Sequence, residues 1–349
     1  MKQEAVRASP PSRWEQINRL APGVALAVAI ALAAWGLQLF EEWAIGRPII
    51  EALVIAILLG MLWRNFVGLR GSGAAGVSFT AKQVLETAIV LLGAGVDLPT
   101  LLKAGPALLL AIVLLVGIGI TASIGISRAI GLNPRLAILV AVGNSICGNS
   151  AIAAVAPVIQ ASADDIASAI ALTAVLGVVV VLTLPLLIGL VGLSLYQYGV
   201  LAGMSVYAVP QVLAATFPVS AISGQIGTLV KLVRVLLLGP VVLFFSLRYP
   251  RATTTRFSLT RFVPWFIIGF LLIAALRSLG LLPAVIADPL RILSTWLTVA
   301  AMAALGLGVD IRAVRKVGLS VAGAVMASLL VLISVSLLLI FGLGIDASR

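Results

Sequence analysis

"VGNSICGNSAIAAVAPVI", Val142 to Ile159, lies inside a long apolar run of the chain. It holds two polar clusters, Gly143-Asn144-Ser145 and Gly148-Asn149-Ser150, on either side of the only cysteine, Cys147. Glycine weakens a helix, and Asn and Ser are costly in lipid. A break in a membrane helix is tolerated only where protein or a wet cavity satisfies the freed backbone groups. The stretch therefore reads as a discontinuous helix in the interior of a membrane protein. Asn149 or Ser150 is placed to cap the half-helix that follows. The bland alternative is a small-residue packing face. Two Asn and two Ser beside two Gly suit a site better.

The rest of the chain agrees with a membrane setting. It has 349 residues, 62% of them hydrophobic, and a mean hydropathy of +1.22. Water-soluble proteins are about half apolar. Apolar runs recur at lengths near the ~20 residues that span a bilayer. The fold class expected is an all-α polytopic membrane protein. Eleven spans are expected: Ala21–Phe40, Ile49–Trp63, Val84–Val96, Pro106–Ser127, Leu136–Ile159, Ile166–Leu193, Leu195–Phe217, Ile226–Leu247, Phe262–Leu281, Ile292–Leu307 and Leu319–Phe341. The second, third and tenth are short. Ala21–Phe40 ends in "GLQLFEEW", without a small-x-small cleavage site, and reads as a retained span.

Charge supports an orientation. With the N-terminus in the cytoplasm, 16 Lys and Arg fall inside and 5 outside, while Lys231 and Arg234 lie within a span. The positive-inside rule then puts residues 1–20 in the cytoplasm and the C-terminus outside. The net charge of +11 is spread through short gaps, so nucleic acid is not an expected partner. One cysteine and no histidine argue against a disulfide within the chain, common metal ligation and an imidazole relay.

An internal repeat joins "LLGAGVDLPTLLKAG" (Leu91–Gly105) to "ALGLGVDIRAVRKVG" (Ala304–Gly318) at a constant offset of 213, with seven identities including Asp97 and Asp310. In the expected topology the first copy ends a span outside and the second ends one inside. The repeat is therefore inverted, as in many secondary transporters. Residues 21–349 form the transporter domain, with halves of roughly 48–193 and 195–345.

Other polar residues complete a candidate site. "AGMSVYAVPQV" (Ala202–Val212) brings Ser205, Tyr207, Pro210 and Gln211 into one span. Lys231 and Arg234, three residues apart, share a helix face inside the eighth span. They suit an anion, with Arg234 able to form a fork to its oxygens. They also suit pairing with Glu51 or Glu86, or snorkelling. Glu51, Glu86, Asp97 and Asp310 are candidate coupling carboxylates, or ordinary span-end residues.

These motifs together resemble the YeiH-like family of bacterial inner-membrane proteins, which carries the name sulfate exporter. Gly143, Ser145, Ile146, Cys147, Gly148, Ser150, Ala151 and Ile152 match its Gly-x-Ser-Ile-Cys-Gly-x-Ser-Ala-Ile signature. Val230, Lys231, Leu232 and Arg234 match Val-Lys-Leu-x-Arg, and Gly306 to Asp310 is similar to its Gly-Leu-Gly-acidic element. In Gly-x-Ser-x-His-Glu-x-x-Gln-Val, Gly203, Ser205, Gln211 and Val212 match, but Tyr207 and Ala208 replace His and Glu. The resemblance implies export of sulfate, or of an organic sulfonate or carboxylate, across the inner membrane. More distantly it implies the bile-acid symporter and cation/proton antiporter folds, in which two broken helices cross. The second Gly-Val-Asp copy is followed by one span only, so Ala202–Val212 would have to serve as its broken helix, out of order.

The expected function is secondary active transport of a small anion by alternating access. Asn144, Ser145, Gly148, Asn149, Ser150, Ser205, Tyr207, Gln211, Lys231 and Arg234 form the substrate site. The partners are that anion, the lipid bilayer and, as a candidate homodimer, a second copy of the chain. No cofactor or metal is expected, only a coupling ion, H+ or Na+. A sodium/proton antiporter of the same fold and a passive channel are the alternatives. No nucleophile has a visible base, so an enzyme is not expected.

Overall fold

The computed structural model describes residues 13–45, 51–69, 73–95, 105–249, 264–312 and 318–346. Among these the regular structure is helical, and the chain is an all-α polytopic membrane protein. In chain order the helices are α1 (Arg13–Ile45), α2 (Ala52–Phe66), α3 (Gly73–Gly95), α4 (Gly105–Ala129), α5 (Pro134–Val142), α6 (Asn149–Val155), α7 (Ala163–Thr183), α8 (Leu186–Val191), α9 (Leu195–Ser205), α10 (Val209–Thr216), α11 (Ala221–Leu236), α12 (Leu238–Arg248), α13 (Trp265–Ser278), α14 (Ala284–Leu307) and α15 (Leu319–Gly342). Two of the three short expected spans are longer than the sequence suggested. Val84–Val96 belongs to α3, which starts at Gly73 and carries a π turn at Thr80–Val84, and Ile292–Leu307 belongs to α14.

The expected fifth and seventh spans do not cross the membrane. At 1.5 Å per residue none of α5, α6, α9 or α10 covers the ~30 Å hydrocarbon layer. Side-chain contacts show that each pair folds back on itself. Tyr198, near the start of α9, donates to the Ala215 carbonyl near the end of α10 at 2.7 Å. In a through-going helix these residues would lie ~25 Å apart. Asn133, at the start of α5, donates to Asp165, at the start of α7, at 2.9 Å. Ser223, at the start of α11, donates to the Leu195 carbonyl at 2.6 Å. So α5–α6 and α9–α10 are re-entrant hairpins, each returning to the surface it left. Among the described residues seven helical segments are long and apolar enough to cross, α1, α3, α4, α7, the α11–α12 pair, α14 and α15, and the shorter apolar α2 and α13 pack among them.

Local sequence explains where the chain re-enters. Asn133 caps α5 through Leu136 N, with Pro134 in the first turn. Ser162 caps α7 through Asp165 N, and Asp164 and Asp165 stabilise the positive end of that helix. Ser194 and Gln197 form a capping box at α9, and Ser220 caps α11. These caps satisfy orphan N–H groups at the four helix starts that flank the hairpins.

The offset of the sequence repeat extends through three helices. It carries Ala52 of α2 onto Trp265 of α13, Gly95 of α3 onto Gly308 after α14, and Ala129 of α4 onto Gly342 of α15. The packing is reciprocal. A Cβ on Gly93 would stand 2.5 Å from the Phe270 carbonyl, and one on Gly306 would stand 2.1 Å from the Ile57 carbonyl. Phe270 and Ile57 are themselves equivalent residues. Such paired contacts mark a two-fold relation. The hairpins 134–155 and 195–216 have the same length, as that relation requires. The second hairpin precedes its own repeat in the chain, yet it docks where a continuation of α15 would place it. Ser194 donates to Asp346 at 3.1 Å and Gln197 to the Ile345 carbonyl at 3.2 Å. The second half is thus a circular permutation of the first. The α1-start surface is called the near side below, and the opposite one the far side. Hairpin α5–α6 enters from the near side and α9–α10 from the far side.

The helices form two groups. One holds α1, α2, α3, α13 and α14, closed by the glycine contacts above and by a Trp35–Trp296 stack at 4.8 Å. The other holds α4, α7, α11, α15 and both hairpins. Helix α10 packs from the second group onto α2 and α14 of the first.

Candidate functional site

The two hairpin tips meet inside the second group. The first tip is the π turn Gly143–Cys147 followed by Gly148 at φ +63°, ψ −124°. That backbone region is essentially restricted to glycine, so Gly148 makes the reversal. The second tip is the extended Val206–Tyr207–Ala208 link. The tips touch, since a Cβ on Gly148 would lie 3.4 Å from Tyr207 Cβ. The expected crossing of two broken helices is replaced by two hairpins tip to tip. The backbone groups freed by each break stay inside protein.

Lys231 and Arg234 of α11 reach both tips, and both are fully buried. Lys231 Nζ donates to the Ile146 carbonyl and to the Val206 carbonyl, the latter at 2.8 Å. Arg234 Nε donates to the Ser145 carbonyl at 3.1 Å, Nη2 to Asn144 at 3.0 Å, and Nη1 to Gly203 at 2.8 Å and Val206 at 3.4 Å. Each of these partners is a carbonyl at the C-terminal end of an entering arm, where the helix dipole is negative. Neither the pairing with Glu51 or Glu86 nor the snorkelling considered from sequence occurs. The guanidinium fork expected to be free for an anion is engaged with backbone in this structure.

The remaining candidates divide into two sets. Asn144 is buried, and its Nδ2 donates to the Val325 carbonyl of α15 at 3.2 Å. Asn144 Oδ1, Ser145 Oγ and Tyr207 OH are buried without a hydrogen-bond partner. Ser205 donates to the Leu201 carbonyl, and Gln211 accepts from Ala208 N at 3.2 Å. Asn149 and Ser150 are exposed at the start of α6. Neither caps it: the N-cap is Gly148, with no side-chain bond. Asn149 accepts instead from Thr173 of α7 at 2.9 Å. Thr173 carried no sequence signal, because a lone Thr in an apolar helix usually bonds its own backbone.

The coupling carboxylates lie elsewhere. Glu51 is the N-cap residue of α2. Glu86 accepts from Trp265 Nε1 at 2.8 Å. Asp310 pairs with Arg64 at 3.5 Å and accepts from Arg312 N. Asp97 lies outside the described residues. Among the described residues no group of three or more His, Cys, Asp or Glu is placed to hold a metal. The π turn, the Gly148 reversal and the Lys-x-x-Arg staple thus coincide with the polar signature of the sequence. The model of the family described as Conserved hypothetical protein 698 matches residues 22–325. The chain belongs to this family. It is 51% identical over 337 residues to a UPF0324 membrane protein of Bradyrhizobium diazoefficiens, covering 95% of this chain and 96% of the relative. A UPF0324 membrane protein of Brucella melitensis is 52% identical over 337 residues, with 96% and 94% covered. One from Bacillus cereus is 34% identical over 302 residues, with 85% and 87% covered. The YeiH-like resemblance fits this membership. No solved structure matches.

Proposed function

We propose that this membrane protein is a secondary transporter of a small oxyanion, with its site where the hairpin tips meet. The observation that carries the reading is charge. Two buried cations stand beside three unpartnered polar atoms, and among the described residues no carboxylate bonds to either cation. The carbonyls satisfy the donors of these cations but leave their net charge buried, which is costly. An anion admitted between the tips lowers that cost without displacing the carbonyls. Ser145 Oγ and Tyr207 OH offer donors, Asn149 and Ser150 stand at the open end, and Lys231 and Arg234 supply the potential. Sulfate, organic sulfonates and carboxylates share the required chemistry. The distribution of Lys and Arg supports a cytoplasmic near side, and the family resemblance supports the bacterial inner membrane. Among the described residues no carboxylate stands at the tips to favour the cation/proton antiporter reading, since Glu51, Glu86 and Asp310 all stand elsewhere. The family resemblance supports export as the direction, and H+ or Na+ is the candidate coupling ion.

The test is thermal unfolding of purified protein against sulfate, sulfonates and carboxylates, followed by counterflow in proteoliposomes. An anion at 100 times its Kd adds about 2.7 kcal/mol. Tyr207→Phe and Asn149→Ala leave the Lys231–Arg234 staple in place and are expected to weaken the anion-dependent rise in Tm. Stabilisation by sodium alone overturns the anion reading. Flux without counterflow makes the protein a channel.

A further inference from the structure

The two hairpins are equivalent in sequence and not in environment. Residues 149–158 and 210–219 align at an offset of 61, with Ala153/Ala214, Ala154/Ala215, Pro157/Pro218 and Val158/Val219 identical. Helix α10 is buried along its whole length and packs on α2 and α14. Its counterpart α6 makes no comparable contact with α13 and α3, the helices that the two-fold puts in the places of α2 and α14. Instead Asn149, Ser150, Ala153 and Pro157 are exposed along one side of the returning arm.

That open strip does not have the chemistry of a lipid face. Lipid-facing positions on the neighbouring α7 and α12 carry Val179, Leu182, Leu243, Phe244 and Leu247. The α6 strip carries Asn, Ser, Ala and Pro, and an Asn or Ser facing hydrocarbon is costly. It leads from the tips, where Tyr207 OH is buried and unpartnered, to the near surface. The returning arm is therefore exposed along α6 and buried along α10.

We infer that the chain has a second, mirror route to the same tips, lined by Pro210, Ala214 and Pro218 and closed here by α2 and α14. In the exchanged state α6 docks on α3 and α13, and α10 opens to the far side. The inference rests on the transporter reading and extends it by naming both routes. A symmetric pair of sequences has two asymmetric arrangements of matched packing, and the two-fold relates one to the other. Interfaces of this kind are bistable rather than continuously deformable.

The experiment is sided labelling in sealed vesicles. Single cysteines replace Ala153 or Ala214 in a Cys147→Ser background, and a membrane-impermeant maleimide is added from one side at a time. A153C is expected to react from the near side only, and A214C from the far side only. The pair Ala154→Cys and Ala215→Cys repeats the measurement should either first variant fail to fold. Far-side reactivity of A214C that is absent, or that comes from the near side, overturns the second route. Failure of any oxyanion to change either reactivity removes the anion reading and leaves the two routes standing. Protection of A153C by an anion with A214C silent from both sides does the reverse.

Discussion

Lys231 and Arg234 carry the heaviest local burden in the molecule. Each is buried away from water, and each is held by carbonyls that the hairpins release. The two costs offset each other: a buried cation without a partner is expensive, and so is a buried carbonyl without a donor. Removing either residue leaves both tips short of donors, at about 1–3 kcal/mol for each orphaned group. Lys231→Ala and Arg234→Ala are therefore expected to lower Tm in detergent well beyond the effect of Arg312→Ala, an exposed arginine at the near surface. Arg234→Lys tests geometry rather than charge. A lysine cannot serve Asn144, Ser145 and Gly203 at once, so a Tm close to the parent would refute the staple. Arg64 and Asp310, part-exposed, are worth about 0–1 kcal/mol as a pair.

At the scale of elements, the hairpins depend on one reversal and on close helix contact. Gly148 holds a backbone conformation that a Cβ opposes. Gly148→Ala is expected to cost about 1–3 kcal/mol, read as a fall in Tm, and to disturb the tip before the rest of the fold. Gly93→Val and Gly306→Val probe the reciprocal contacts. Either side chain would have to push a facing backbone carbonyl aside. The two-fold predicts losses of similar size, about 1–3 kcal/mol each. A large effect at one and none at the other would break the symmetry argument. The caps are visible in the sequence as Asn133-Pro134, Ser162-x-x-Asp165, Ser194-x-x-Gln197 and Ser220-x-x-Ser223. They mark four helix starts around two polar stretches, which is one start too many for each through-going span. Hydropathy hid this, because apolar arms buried in protein look like apolar arms facing lipid.

For the whole molecule, the re-entrant hairpins change which loops share a side. Arg135 and Asp164 flank the first hairpin and lie at the same surface. Cysteines at these two positions are expected to label from one side of a sealed vesicle. Labelling from opposite sides would restore a through-going fifth span. The Lys and Arg bias survives the change, because the two non-crossing segments each shift the parity by one and cancel. With the short α2 and α13 counted beside the seven long helices, the expected near-cytoplasmic side thus keeps the same Lys- and Arg-bearing loops as with eleven spans.

The amino-acid sequence by itself determined the class, the repeat and the address of the site. Apolar runs of bilayer length demand helices, an offset of 213 residues announces duplication, and Gly-Asn-Ser clusters beside Cys147 mark a break that lipid would not tolerate. Only the tertiary structure decided that the broken segments turn back, that their tips meet, and that Lys231 and Arg234 hold them together. It also decided the permuted order of the second half, through the contact of Ser194 and Gln197 with the end of α15. The physical reason is range. Hydropathy and capping act over a turn or two of helix, whereas the direction of a half-helix is set by partners far along the chain. Those partners become neighbours only when the fold is complete.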